Sequence, residues 1–346
     1  MLHVVGRSDR RIFGLEPTER LRRQAGAEAA LLVADANAVL DDAAVRWLIE
    51  NPGQVLASDD GKPLAVVTEQ CTDPAEALSS GRLPVQTAAT IGGRYIRKLR
   101  RKSPLLALSL EQTPVADAER QLFDKVYKGV TDVVTKYVWP RPALVVTRAA
   151  ASARITPNAV TVAGFVLMLI ASWLFFTGEI AAGLVAAWGM TFLDTVDGKL
   201  ARVTVTSSWL GNLLDHGTDI IHPPLWWFCL GFGLATTVFE LEPQIWLALW
   251  VILGCYVAGR AIELAFRRLF GFNQYMWRPF DSRFRLVVSR RNIILLIMTL
   301  GVVAGVPAHA FIACAAWSVM STIVQLVRLA QASAYSRGKP VKPWLC

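Results

Sequence analysis

Six long apolar segments after residue 156 constrain the fold of this chain more than any other feature. They occupy residues 158–177, 180–199, 209–239, 244–266, 291–307 and 309–330. A helix of about 20 mainly apolar residues crosses a bilayer, and lipid offers its backbone no hydrogen-bond partner. The sequence therefore predicts an α-helical integral membrane protein with six transmembrane helices. Pro223 and Pro224 lie inside the third segment, where a kink or break is expected.

The distribution of lysine and arginine predicts the orientation of these helices. The connections TGE, ELEP and VPAH, after the first, third and fifth segments, contain no basic residue, whereas the other connections and both flanks are basic. Cytoplasmic loops carry such an excess. We expect a multi-pass protein of the cell (inner) membrane with both termini in the cytoplasm. This topology accounts for the net charge of +9 without nucleic acid as a partner.

The residues before the apolar half, 1–113, are predicted to form a small cytoplasmic α/β domain. Residues 29–36 and 64–68 are apolar runs typical of buried strands, and DDAAVRWLIENPG between them predicts an amphipathic helix with a Pro-Gly stop. The chain begins without the apolar core of a signal peptide, as a cytoplasmic domain requires. The basic run RYIRKLRRK at 94–102 indicates either a solvated helix or a surface for anionic lipid headgroups.

A juxtamembrane amphipathic helix and linker are predicted over residues 114–156. One long helix, capped by Thr113 or Asp117 and stopped before Pro140, would carry an apolar stripe and lie in the membrane interface. The alternative is a core helix of the cytoplasmic domain. The membrane domain then covers 157–338, and 339–346 form a cytoplasmic tail. The stripe consists of Leu122, Val126, Val130, Val133 and Tyr137.

The stretch DTVDGKLARVTVTSSWLGNLLDHGTD, residues 194–219, places four aspartates where the second and third apolar segments meet. Removing a carboxylate from water is costly unless it is paired or binds a cation. On a helix, Asp194 and Asp197 share one face, as do Asp215 and Asp219. Four carboxylates aimed into one cavity suit Mg²⁺ or Mn²⁺ and can hold two ions. Paired divalent ions at a membrane surface usually engage phosphates.

Other residues of the stretch agree with phosphate chemistry. Gly198 and Gly211 would let a bulky group approach the backbone, and Arg202 is a phosphate partner by charge and geometry. Spacing alone also leaves open a proton relay or cation pathway in a membrane transporter. A purely structural role for four clustered carboxylates is the least favoured interpretation.

The pattern Asp194-x2-Asp197-Gly198-x2-Ala201-Arg202-x8-Gly211-x3-Asp215-x3-Asp219 resembles the signature of the CDP-alcohol phosphotransferase (CDP-alcohol phosphatidyltransferase) family at every position. Six spans with the motif across the second and third also resemble that family, over about residues 140–335. The resemblance implies an enzyme that displaces CMP from a CDP-alcohol donor, such as CDP-diacylglycerol, by the hydroxyl of an alcohol or alcohol-phosphate acceptor. It also implies two Mg²⁺ or Mn²⁺ ions, membrane lipids as partners, and a homodimer.

The same resemblance implies roles for individual residues. Asp194, Asp197 and Asp215 correspond to metal ligands, and Asp219 to both a ligand and the catalytic base that deprotonates the acceptor. The residues expected to contact the CDP moiety or line its site are Gly198, Arg202, Ser208, Gly211, Asn158 and Thr161.

Three arginines outside the motif are candidates for binding an acceptor phosphate. Arg260 shares a helix face with Glu263, and the two could instead pair with each other. Arg290 and Arg291 open the fifth span, where a helix N-terminus suits an anion, although the pair is equally an ordinary basic flank. His216 and His222, which flank the acidic helix, are minor candidates for a direct role. The acceptor itself is not specified.

The N-terminal domain resembles a sugar-phosphate nucleotidyltransferase in the strand LLVADA, which follows LEPTERLRRQ. The Gly-rich phosphate loop of such enzymes is missing from VVGRSDRRIFG, so the domain is expected to be degenerate and inactive. The alternative is a bifunctional enzyme whose N-terminal domain also makes the CDP-alcohol.

Overall fold

A computed structural model describes residues 2–26, 31–68, 73–79, 81–97, 99–206 and 209–345, without the side chains of 209–216, 218 and 219. The chain divides into two compact units. The first contains Met1–Gly129, Leu144–Thr156 and Gly198–Ser207, and the second contains Val130–Ala143, Pro157–Asp197 and Ser208–Cys346. The domain limits given above stay a prediction.

A five-stranded mixed sheet organises the first unit. Its strands run in the order β1-β2-β5-β4-β6, with β1 parallel to β2, β4 parallel to β6, and β5 antiparallel to both neighbours. β3 pairs with β9, and β7 with β8. The strands in the described residues are β1 (Leu2–Val5), β2 (Leu32–Asp35), β3 (Ala38–Leu40), β4 (Val55–Ala57), β5 (Pro63–Val67), β6 (Val85–Thr87), β7 (Arg94–Ile96), β8 (Arg101–Ser103) and β9 (Ala107–Ser109).

Five helices lie among the described residues up to Lys125, and the predicted α/β pattern is confirmed. β2 and β5 lie in the two apolar runs that predicted strands. The amphipathic helix also occurs, with Asp41 as its N-cap accepting from the backbone N–H of Ala44 at 2.8 Å. The basic run at 94–102 contains the β7–β8 hairpin, so the solvated helix is wrong. The helices are α1 (Pro17–Ala25), α2 (Asp42–Glu50), α3 (Pro74–Ser79), α4 (Ala88–Ile91) and α5 (Val115–Lys125).

The single long helix predicted up to Pro140 is wrong. α5 begins after Pro114 without a side-chain cap and ends at Lys125, and a π-helical turn follows at Val134–Val138. Gly129 in the intervening turns allows close backbone approach, because a Cβ there would lie 2.7 Å from the carbonyl oxygen of Arg100. Proline opens the next helix, α6 (Pro140–Ser152), since a first-turn residue needs no N–H.

Each of the six apolar segments coincides with a helix. Among the described residues, four helices are long and apolar enough to cross a membrane: α7, α8, α13, and α10 together with the preceding 3₁₀ turn. α12 has 13 residues, so six spans stay a prediction. The remaining helices are α7 (Pro157–Phe176), α8 (Ile180–Val203), α9 (Trp209–Thr237), α10 (Glu242–Phe270), α11 (Pro279–Phe284), α12 (Arg291–Val303) and α13 (Pro307–Ser336).

Helix α9 continues through Pro223 and Pro224, so the expected break is absent. Packing immediately beyond the prolines anchors the helix. The buried indole of Trp226 donates from Nε1 to the carbonyl oxygen of Met168 in α7 at 3.1 Å. Prolines are tolerated in membrane helices because neighbouring helices supply such contacts.

Large apolar side chains also cover the outside of the second unit. Trp173, Trp250 and Val303 are 67%, 62% and 82% exposed. An apolar surface of this kind is unfavourable in water and suits a lipid environment. The exposure therefore agrees with the apolar segments in indicating a membrane protein.

Candidate active site

Asp194 and Asp197 lie near the end of α8, one helical turn apart, in the second unit. Asp197 is buried, with 6% of its surface exposed. Thr161 of α7 donates from its hydroxyl to Oδ2 of Asp197 at 2.7 Å. Asn158 lies in the first turn of the same helix. Thr161, which is predicted to line the nucleotide site, therefore contacts the predicted metal ligand Asp197.

Arg291 compensates the charge of Asp194. From the first turn of α12, its Nη2 donates to Oδ2 of Asp194 at 2.5 Å. Its Nη1 lies 3.2 Å from Nε2 of His222 in α9, and the His222 ring meets Trp226 edge-on. An arginine predicted to bind the acceptor thus contacts a predicted metal ligand, and its role toward the acceptor stays a prediction.

The other two predicted acceptor arginines gather around Glu263. This carboxylate lies in α10 and is 9% exposed. Arg290 donates to its Oε1, Tyr275 donates from its hydroxyl to the same oxygen at 3.1 Å, and Arg260 lies 3.9 Å from Oε2. The pairing of Arg260 with Glu263 is therefore present, and Arg290 makes the shorter contact.

Sequence reasoning missed Arg285, which follows α11. Its Nε and Nη1 are inaccessible to solvent and have no hydrogen-bond partner among the described residues. Burial, and then the nearby charge of Arg290, lower the pKa of Arg285 to about 10, so the guanidinium stays charged at neutral pH. Buried donors on a cation suit an anion. Nothing in the sequence distinguishes Arg285 from its basic neighbours between the fourth and fifth apolar segments.

Asp132, also missed, connects the π-helical turn to the start of α12. It accepts from the backbone N–H of Thr135 at 3.0 Å and from Nδ2 of Asn292 at 2.9 Å. Burial raises the pKa of Asp132, but the charge of Arg285 and these hydrogen bonds outweigh that effect and lower it. The carboxylate is therefore ionised and anchors the residue next to Arg291.

The motif residues Gly198 and Arg202 belong to the first unit. Arg202 donates from Nη1 to the carbonyl oxygen of Val126 at 2.8 Å. A Cβ at position 198 would lie 2.9 Å from Nη2 of Arg202, so the guanidinium passes close to the Gly198 backbone. The expected approach of a bulky group to Gly198 stays a prediction.

Most of the second half of the motif lies on helix α9. Ser208 lies outside the described residues. Helix α9 contains Gly211, Asp215, His216 and Asp219, but the side chains at these positions are outside the described part of the structure. Among the side chains that are described, no group of three Asp, Glu, His or Cys is placed so that it could hold a metal ion.

The donor set that is described fits a hard divalent cation. Asp194 and Asp197 place carboxylate oxygens at one end of an otherwise apolar helix, with Thr161 and Arg291 as hydrogen-bond donors to them. Mg²⁺ and Mn²⁺ prefer oxygen ligands of this type. Two carboxylates at this position can contribute half of the predicted ligand set.

Comparison with known proteins shows a family match over part of the chain. Residues 154–320 match the family described as CDP-alcohol phosphatidyltransferase. A curated relative, the archaetidylinositol phosphate synthase of Pyrococcus horikoshii, is 46% identical over 70 residues, which are 20% of this chain and 37% of the relative. The chain therefore matches little more than a third of that relative's length.

Two solved structures of phosphatidylinositol phosphate synthase from Mycobacterium tuberculosis are also similar. The one with CDP-DAG bound is 18% identical, covers 55% of this chain and 94% of its own, and has a TM-score of 0.43. The one in complex with manganese and citrate is 20% identical and has a TM-score of 0.42. The match covers 54% of this chain and 88% of the other chain.

Proposed function

We propose that the protein makes a phospholipid or related phosphodiester, because residues 154–320 match the family described as CDP-alcohol phosphatidyltransferase. It transfers a substituted phosphate from a CDP-alcohol, such as CDP-diacylglycerol, to the hydroxyl of an acceptor. The observation that carries the proposal is the pair Asp194 and Asp197, placed by an apolar helix within a complete family signature.

The transfer makes one P–O bond and breaks another. The acceptor oxygen attacks the phosphorus that carries the donor's alcohol, and CMP leaves with the oxygen that bridged the two phosphates. Asp219 accepts the proton of the acceptor hydroxyl. Arg202 contacts the donor pyrophosphate, where its charge stabilises the departing CMP.

We propose that Asp194, Asp197, Asp215 and Asp219 hold divalent ions, Mg²⁺ or Mn²⁺, two in number. Bound there, such ions would supply positive charge to the donor pyrophosphate and lower the pKa of a nearby hydroxyl. In this chain, the Thr161 hydroxyl orients the Asp197 carboxylate through its hydrogen bond. Arg291 fixes Asp194 in the same way from α12.

The arginines near Glu263 support a phosphorylated acceptor. Arg290 and Arg260 are partly compensated by that carboxylate. Arg285 adds a third guanidinium group, and its Nε and Nη1 donate no hydrogen bond to the described residues. This excess of guanidinium groups over carboxylates suits the phosphate of an acceptor such as glycerol phosphate or inositol phosphate.

The direct test is CMP release by the purified full-length protein. CDP-diacylglycerol and a panel of phosphorylated and unphosphorylated alcohols are supplied with Mg²⁺ or Mn²⁺. We expect release with at least one acceptor, abolished by EDTA, restored by the metal, and lost in Asp219→Asn. Asp117→Asn, on the exposed face of α5, is the matched control and should keep full activity.

The outcomes also separate the enzyme from a transporter. Absence of CMP release with every acceptor, combined with cation flux into proteoliposomes that depends on Asp219, would contradict the proposal and favour a cation pathway. Release that persists unchanged in EDTA would contradict the metal assignment.

A further inference from the structure

Helix α8 ends in a turn that its own sequence does not favour. The N–H of Thr206 donates to the carbonyl oxygen of Ala201 at 2.9 Å, as in a Schellman motif, and Val205 takes the left-handed position with φ +52°. Glycine usually occupies that position, because a Cβ is unfavourable there. A β-branched residue at positive φ persists only where surrounding contacts hold it.

Helix α1 supplies such contacts. Arg20 donates from Nη1 to the carbonyl oxygen of Val203, and Arg23 donates from Nη1 to that of Thr204 at 3.0 Å. The last carbonyls of a helix lack intrahelical partners and form the negative end of its dipole. Two guanidinium groups from α1 therefore cap α8 in place of a glycine turn.

The cap is built from a buried cation. Arg20 is 2% exposed. Burial lowers the pKa of Arg20 to about 10, against the opposing effect of Asp42 and Asp41, so Arg20 is charged at neutral pH. A charged group is buried at such a cost only with compensating partners. The carbonyl oxygen of Val203 is one such partner, because it accepts a hydrogen bond from the buried guanidinium.

Basic side chains of the preceding turn are held within the same unit. The ammonium of Lys199 lies 3.7 Å from the centroid of the Tyr127 ring, and Arg202 donates to the carbonyl oxygen of Val126. Residues 199–206 are thus held by α1 and by the residues that follow α5. Gly198, Ala201 and Arg202 of the family signature lie in or next to this clamped segment.

We propose that Arg20 is a positioning residue for the transfer reaction, an inference that rests on the function proposed above. Together with Arg23 it caps α8, holds the strained turn at Val205, and so keeps Arg202 in place for the donor pyrophosphate. Helix α1 then acts as a clamp on residues 199–206, the end of the signature helix, within the first unit.

The test compares Arg20→Gln with Arg22→Gln in the full-length protein. Arg22 lies on the same helix, its side chain is 66% exposed, and it pairs with Glu19. Hydrogen exchange of peptides covering 199–206 should speed up by about tenfold in Arg20→Gln, because a capped terminus frays when its cap is removed. The kcat for CMP release should fall by about tenfold, with the acceptor KM unchanged. Arg22→Gln should change neither quantity.

A second substitution distinguishes positioning from general destabilisation. Glycine adopts positive φ without strain, so Val205→Gly added to Arg20→Gln should restore slow exchange and most of kcat. Arg100→Gly is the matched control, because Arg100 also has positive φ (51°) but lies between β7 and β8. Arg100→Gly added to Arg20→Gln should restore neither slow exchange nor kcat. If Arg20→Gln does not fold, Arg23→Gln, which removes the second and more exposed contact, should show the same changes at smaller size.

Each outcome decides a separate point. Unchanged exchange at 199–206 in the arginine variants overturns the clamp, whatever the activity. Faster exchange with unchanged kcat, in a protein whose wild type is active, overturns the positioning role. Rescue by Arg100→Gly as well as by Val205→Gly also overturns it. A wild type that releases no CMP contradicts the proposed function, while the exchange measurement still decides whether α1 caps α8.

Discussion

At the scale of single residues, the two described aspartates of the signature are compensated by different groups. Asp197 is buried and accepts from a neutral hydroxyl, that of Thr161, whereas Asp194 forms an ion pair with Arg291. A buried carboxylate depends on each hydrogen bond that it accepts. Thr161 is therefore a sensitive position for testing the site without altering a charge.

We expect Thr161→Val to weaken metal use. The substitution keeps the shape of the side chain and removes the hydrogen bond to Asp197, so the Mg²⁺ concentration for half-maximal CMP release should rise by about tenfold. Thr177→Val is the control, since the Thr177 hydroxyl contacts only the carbonyl oxygens of Trp173 and Leu174 among its described hydrogen bonds. If Thr161→Val leaves the Mg²⁺ dependence unchanged, the assignment of Asp197 as a metal ligand is contradicted.

Arg285 carries a second prediction at this scale. If its buried donors hold an acceptor phosphate, Arg285→Gln should raise the KM of a phosphorylated acceptor by about tenfold or more, because a charged hydrogen bond is lost. The donor KM should not change. Arg283→Gln, an exposed neighbour, is the control. Equal effects on acceptors with and without a phosphate would contradict the assignment.

At the scale of elements, the single long helix predicted from the apolar repeat of residues 122–137 is absent. A tertiary contact at Asp132 determines the path of the chain there instead. Leu122 is fully buried and Tyr137 is 64% exposed, so the repeat does not form one face. The chain instead turns after Lys125 and is fastened at Asp132, which contacts Asn292 of α12. This carboxylate links an irregular segment to the helix that carries Arg291.

The Asp132 anchor predicts a pH dependence of stability. Its pKa is lowered in the folded protein, so the carboxylate stabilises the fold above the ordinary value of 3.8, and this contribution is lost as the pH falls through the folded value. The thermal midpoint of the wild type should therefore drop on acidification below about pH 4 more steeply than that of Asp132→Asn. Parallel midpoint curves for the two proteins would show that Asp132 is not a stabilising anion.

At the scale of the whole molecule, we propose a topology with both termini and the signature at the cytoplasmic face. The basic residues of the connections support it. In a background without the five native cysteines, cysteine introduced at Glu179 or Glu242 should react with an impermeant thiol reagent from outside the cell. Cysteine at Arg283 should react only after permeabilisation. All three positions are exposed in the structure, so reversed labelling would invert the topology.

The sequence by itself determined the apolar helices, the buried strands β2 and β5, helix α2 and the family signature. These depend on local composition and periodicity, which a chain carries whatever its long-range contacts. Only the tertiary structure decided the partners of the charged groups. Arg291 contacts Asp194 across 97 residues, and Arg20 contacts Val203 across 183. A buried charge selects whichever partner packing brings within hydrogen-bond distance, and no local pattern encodes that choice.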